Sequence, residues 1–292
     1  MYNQITKNKQ KSFLLMLIFV AVIALLAWVW SQYSNTGSSM VVLAIVIASL
    51  MSLFSFYAGD KLALSSAGAK EIKREDNPYV WRMVENLSIT AGLPMPKVYI
   101  INDANMNAFA TGRDPEHASI ALTTGIIQGL ENEELEGVIA HELAHVKNYD
   151  IRVMMVVIVC IGIITLLSDW LLHSFLWRGN KDSDNKANAV IMVIGLILAI
   201  LSPLFAQLIQ MAVSRKREFL ADASGALLTR YPEGLARALE KISAQNSIHQ
   251  LSHANKATAH LYFANPFKAK NVSKLFSTHP PVEERIQALR TM

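Results

Sequence analysis

The chain has 292 residues, 52% of them apolar and only 17% charged, with 27 lysines and arginines against 23 acidic residues and a net charge of +4. Soluble domains carry about 25% charged residues, so the composition argues against an ordinary soluble protein and for a membrane protein. One cysteine, Cys160, excludes an intrachain disulfide, and no basic and aromatic pattern argues for nucleic acid; the positive balance suits anionic lipid headgroups.

The apolar excess falls in four runs, at 13–30, 40–57, 153–172 and 189–213. Each reaches or approaches the roughly 18 to 20 residues that cross a bilayer as a helix. Lys7, Lys9 and Lys11 precede the first run like the leader of a signal peptide. The run is too long for that role, and the residues around Trp28, Trp30 and Tyr33 do not form a small-residue cleavage site, so the spacing predicts a retained span. These aromatics, with Trp170 and Trp177 near the third run, fit interfacial belts. Lys61, Lys70, Lys73 and Arg74 follow the second run, and Arg215, Lys216 and Arg217 follow the fourth. The positive-inside rule places both termini and the blocks between the span pairs in the cytoplasm. The expected organisation is a tail and hairpin over 1–57, a cytosolic block over 58–152, a second hairpin over 153–213 and a second cytosolic block over 214–292.

The first block reads as α+β. A helix is expected over 78–91, with Val80, Val84, Leu87 and Ile89 on its apolar side, ended at Gly92-Leu93-Pro94. Lys97-Val98-Tyr99-Ile100-Ile101 reads as a strand, and 107–111 and 119–123 as two more joined through Gly112-Arg113-Asp114-Pro115. An exposed edge at 107–111 would suit pairing with an extended peptide. Next comes a helix over 130–148, with Glu131, Glu133, Glu134 and Glu136 at the end where the helix dipole favours acids, and Lys147 near the other. Its mixed periodicity predicts one packed side and one side facing a cleft.

That helix carries His141-Glu142-Leu143-Ala144-His145. At 3.6 residues per turn, histidines at i and i+4 stack on one face and reach one metal ion. Glu142 projects beside the ion, where it can take a proton from the attacking water. Two histidines leave the site incomplete, since catalytic zinc takes three protein ligands. The metzincin extension is excluded, because Asn148 and Ile151 stand where glycine and histidine would be needed. Glu218 is the better third ligand, with Asp222 one turn on to orient a ligand from behind. The competing reading makes Glu218 a solvated partner of nearby arginines. If the last two spans form an antiparallel hairpin, Glu218 returns to the membrane face that holds the two histidines. Asp150, shortly after the motif, is a further candidate for outer support, while His249, His253 and His260 read as solvated.

Taken in order, the histidine motif, Arg217-Glu218-Phe219-Leu220-Ala221-Asp222 after a span, Asn107-Ala108-Phe109-Ala110, and Ser277-Thr278-His279-Pro280-Pro281 with Glu284-Arg285-Ile286 resemble the HtpX-type membrane zinc metalloproteases. The CAAX-prenyl endopeptidases belong to the same wider family, and the resemblance covers essentially the whole chain. It implies an integral membrane α+β protein: four transmembrane helices and a mainly helical, zincin-like cytosolic domain with a small β-sheet. It implies one zinc per chain held by His141, His145 and Glu218, with Glu142 as general base. His279 would help stabilise the oxyanion, Asp222 and Arg285 would support the site, and Asn107 would lie beside the substrate. The implied location is the bacterial inner membrane with the site facing the cytoplasm, and the implied substrates are polypeptides, above all damaged membrane proteins. Two other readings are a non-proteolytic zinc amidase and a CAAX-type prenyl-peptide endopeptidase. A scaffold or transporter with a vestigial motif is disfavoured, because Asp169, near an interface, is the only charge inside the runs.

Overall fold

The computed structural model describes residues 2–34, 37–157, 215–246, 263 and 280–292. Two long helices come first, α1 (Tyr2–Ser34) and α2 (Ser38–Ser66), which pack on each other. Both are long and apolar enough to cross a membrane. Unlike core helices, they leave large apolar side chains uncovered, among them Phe13, Leu17, Trp28, Leu43, Leu50 and Phe54. A lipid environment removes that cost, because hydrocarbon tails take the place of a protein core. The lysine leader is not a separate tail but the first turns of α1, and α2 runs past Tyr57 to Ser66. The expected spans at 153–172 and 189–213 lie outside the described residues except for 153–157, which are helical.

Beyond α2 comes a four-stranded sheet in the order β1-β2-β4-β3, formed by β1 (Lys70–Glu71), β2 (Lys97–Ile101), β3 (Ala108–Gly112) and β4 (Ala118–Thr123). β2 and β4 are parallel, and the β1–β2 and β3–β4 pairs are antiparallel. Three strands match the sequence expectation to within a residue at each end. The two-residue β1 carries no alternation by which to find it. Between β1 and β2 lies α3 (Pro78–Ala91), capped by the Asn77 side chain on Val80 N–H at 3.1 Å and ended by Gly92 at a φ of 66°.

Successive strand residues point to opposite faces. Val98, Ala108, Ala110, Ile120 and Leu122 enter one core with α3 and the motif helix; Ile101, Phe109 and Ala121 enter a second with Ala63 and Leu64 of α2 and its capping residue Ala67. The lower end of α2 thereby covers the far face of the sheet. That explains why β4 reads as a continuous buried strand instead of an alternating one.

The short α4 (Thr124–Gly129) leads to α5 (Asn132–Lys147), the motif helix. At its start Glu131 N–H donates to the Glu134 carboxylate at 2.9 Å, so the run of acids is partly a cap. The expected two-sided character is overturned: α5 is buried from Glu134 to Val146 except at Glu136. The reason is tertiary. α6 (Arg215–Thr229) and α7 (Pro232–Asn246) pack against it from one side, and β3 and α3 from the other. Gly137 marks the closest approach, since a Cβ there would fall 2.9 Å from Leu235 N. The last helix, α8 (Val282–Arg290), packs on α6 and α7.

Candidate metal centre

His141 and His145 lie on one face of α5, and Glu218 of α6 faces them. Their ligand atoms all fall within 4.8 Å of one another, and all three residues are buried. The two Nε2 atoms are 3.1 Å apart. Glu218 places Oε2 3.8 Å from His141 Nε2 and Oε1 3.6 Å from His145 Nε2. Zinc bonds of roughly 2.1 Å in a tetrahedron put donors roughly 3.4 Å apart, and these spacings straddle that value. The reading of Glu218 as a solvated surface acid is therefore overturned. It is 1% exposed, because α6 lies directly against α5.

Each histidine is held from behind. His141 Nδ1 lies 2.9 Å from Asp222 Oδ1, and His145 Nδ1 lies 3.1 Å from Asp150 Oδ2. These contacts aim Nε2 of both rings at the shared point. Asp222 is gripped in turn by Arg285 of α8, with Nε on Oδ2 at 2.8 Å and Nη2 on Oδ1 at 2.6 Å. Arg285 also places Nη1 3.6 Å from Glu218. Arg285 is 1% exposed. Glu142 is buried beside this group, and its charge bears on both His145 and Arg285.

Charge completes the test of fit. Glu142, Asp150, Glu218 and Asp222 are buried here against two buried guanidiniums, Arg217 and Arg285. Among the described residues, buried carboxylates here outnumber buried guanidiniums, an excess that a bound cation would offset. Burial presses His141 down to about 4, against the pull of Asp222, so it is a neutral ligand at physiological pH. Burial also works to lower His145, but its hydrogen bond to Asp150 and the carboxylates of Glu218 and Glu142 outweigh it and raise it to about 9. Burial alone would raise Asp222; Arg285 and His141 hold it below the usual range.

Proton and metal therefore compete for His145. Below a pKa of about 9 the metal displaces one proton from that ring, while His141 contributes none above about 4. Zinc affinity is expected to climb about tenfold per pH unit from about pH 6 to about pH 8, measured by chelator competition. A flat profile would mean that His145 does not carry the proton.

Asn107 is 0% exposed. Its backbone is pinned to Thr123: N–H to Oγ1 at 2.9 Å, and its carbonyl taking both the Thr123 N–H and hydroxyl at 3.0 Å. It immediately precedes β3, which is an edge strand as expected but is buried rather than exposed. The Ala108 carbonyl on that strand accepts the N–H of Phe263 at 2.8 Å. Phe263 packs edge-on against His141 at 5.0 Å and under Arg285 at 5.1 Å. His279, His249, His253, His260 and Cys160 lie outside the described residues. The sequence reading passed over Arg217 and Phe263. Arg217 adjoins Glu218, and its basic neighbours made it look like one more membrane-flanking charge.

The sequence model of peptidase family M48 matches residues 74–292. A protein named Protease HtpX homolog from Tropheryma whipplei (strain Twist) is 44% identical over 292 residues, spanning 100% of this chain and 98% of the relative. Another of that name from Dictyoglomus turgidum is 42% identical over 291 residues, spanning 100% and 94%. The crystal structure of S. mikatae Ste24p is similar in fold, with a TM-score of 0.54 at 19% identity, covering 99% of this chain and 67% of that one.

Proposed function

The chain belongs to peptidase family M48, and on that premise we propose that it is a membrane-bound, zinc-dependent endopeptidase that cuts misfolded or damaged membrane proteins at the cytosolic face of the bacterial inner membrane. The observation that carries this is the buried group of His141, His145 and Glu218, with ligand atoms all within 4.8 Å of one another. A bound zinc ion supplies Lewis acidity, activating water near neutral pH and polarising the scissile carbonyl.

The residues of the chain do the rest. Glu142 takes the proton of the attacking water and delivers it to the leaving amine. Asp222 and Asp150 keep the two rings in line, and Arg285 keeps Asp222 ionised. His279 donates to the developing oxyanion, a role that rests on the family resemblance. Asn107 and the start of β3 lie along the substrate backbone, a reading supported by the Ala108 carbonyl, which accepts the N–H of Phe263 outside the sheet ladder. The membrane setting is supported by α1 and α2, with four spans and the block boundaries at 57/58, 152/153 and 213/214 as the full proposal. Basic residues flanking the spans support the cytosolic orientation.

The test compares three substrates in detergent: an unfolded membrane protein, a prenylated C-terminal peptide and a small acyl amide. Cleavage of the membrane protein alone, lost on chelation and restored by zinc, is the expected result. Hydrolysis of the small amide alone would replace the peptidase reading with an amidase, and a preference for the prenylated peptide would move the substrate class.

A further inference from the structure

Most of α1 faces outward, but Asn8 and Ser12, one turn apart, are 2% and 1% exposed. The Asn8 amide spends its donors on the turn that follows the motif helix. Nδ2 donates to the Asn148 carbonyl at 2.9 Å and to Asp150 Oδ1 at 2.8 Å. Asn148 caps α5, and Asp150 is the residue behind His145. The Arg217 guanidinium meets the same Oδ1 at 3.1 Å. One oxygen of Asp150 is thus held by two donors, and the other is left to His145.

The backbone adds an independent reason for the contact. Tyr149, between Asn148 and Asp150, has a φ of 60°, a left-handed conformation uncommon for an aromatic residue. It folds the chain back so that Asp150 meets the helix it has just left. The ring of Tyr149 is gripped by Lys9 of α1 at 4.5 Å and by Arg152 at 5.2 Å. Neighbouring residues of α1 therefore hold both the side chain that orients His145 and the unusual turn that presents it.

We propose that Asn8 is a positioning residue for the metal centre, acting through Asp150 to hold the His145 ring with Nε2 toward the metal, so that docking of the N-terminal helix is a condition of the high-affinity site. This rests on the metallopeptidase reading above. A hydrogen bond donated by Nδ1–H of His145 to Asp150 fixes both ring angle and tautomer, and the loss of such an outer partner weakens metal binding about 10- to 100-fold. Asn8 determines whether Asp150 stays in place to make that bond.

The experiment uses the full chain in detergent with zinc, and separately with cobalt, whose visible bands report ligand geometry. Wild type, Asn8→Ala, Asn8→Gln, Asp150→Ala and Asn8→Ala/Asp150→Ala are compared by chelator competition, cobalt spectrum, kcat and KM. Asp150→Ala is expected to weaken zinc binding about 10- to 100-fold and Asn8→Ala about 10-fold, with a changed cobalt spectrum, a lower kcat and an unchanged KM. In the double variant Asn8→Ala should add nothing, because its route is already cut. Asn8→Gln should recover part of the loss. Unchanged affinity and spectrum in Asn8→Ala, even with lowered thermal stability, would make Asn8 an anchor only and overturn the proposal. Penalties that add in the double variant would overturn it too. Failure of the wild type to bind zinc would instead sink the metallopeptidase reading.

Discussion

Replacing Glu142 with glutamine is expected to end peptide hydrolysis while leaving one zinc per chain. Glutamine keeps the length and volume of the side chain in a buried position where either change would disturb packing. What it loses is the ability to accept and return a proton. Glu142 stands outside the group of His141, His145 and Glu218, so the metal keeps its ligands. A positioned general base contributes about 10²- to 10⁴-fold, and at an enzyme with one base the observed loss should lie at the upper end, about 10³-fold or more. Glu218→Ala should look different, losing zinc and turnover together. The two variants are separated by metal analysis of purified protein alongside a cleavage assay. Full activity in Glu142→Gln would remove the residue from the proton path, and loss of zinc in that variant would make it a ligand rather than a base.

Replacing Arg285 with alanine should be the most destabilising of these changes. Arg285 is fully buried and clasps Asp222 with two short bonds while lying near Glu218. Removing one partner of a buried ion pair strands the other, at a cost of about 3–5 kcal/mol. The cost has two visible consequences. Asp222 loses the guanidinium that keeps it ionised and then supports His141 less well. α8, a nine-residue helix, loses its deepest attachment to α6. Denaturant titration should show the lowered midpoint, and chelator competition should show weaker zinc binding. Arg285→Lys should rescue only part, because an ammonium cannot copy the planar two-pronged contact. If the stranded charge is the cause, the combined Arg285→Ala and Asp222→Ala variant will be less unstable than the two losses added together. Strict additivity would argue that the pair is not coupled.

The parts of this protein that could be read in advance were those governed by local rules. α3 ran over the expected residues because its cap, its apolar spacing and its glycine stop lie within one short segment. β2 was found because a β-branched and aromatic run leaves few alternatives. His141 and His145 had to share a face once the segment was helical. Misreadings began where a distant part of the chain intervened. The motif helix was expected to face a cleft, but α6 and α7 close on it. The edge strand was expected to be exposed, but its side chains are buried on both faces. The lysine leader was read as a tail, yet it is the start of α1 and carries Asn8 into contact with Asp150.

By itself, then, the sequence determined the membrane character, the α+β pattern and the pair of histidines with its adjacent acid, because composition and helical period need only neighbouring residues. The tertiary structure decided which surface acids became buried members of the site. Glu218, Asp222 and Arg285 are ordinary charged residues in one dimension, and Asn8 is an unremarkable amide between lysines. Their roles depend on helices far apart in the chain being brought side by side, where burial removes water and leaves each charge to be answered by another side chain.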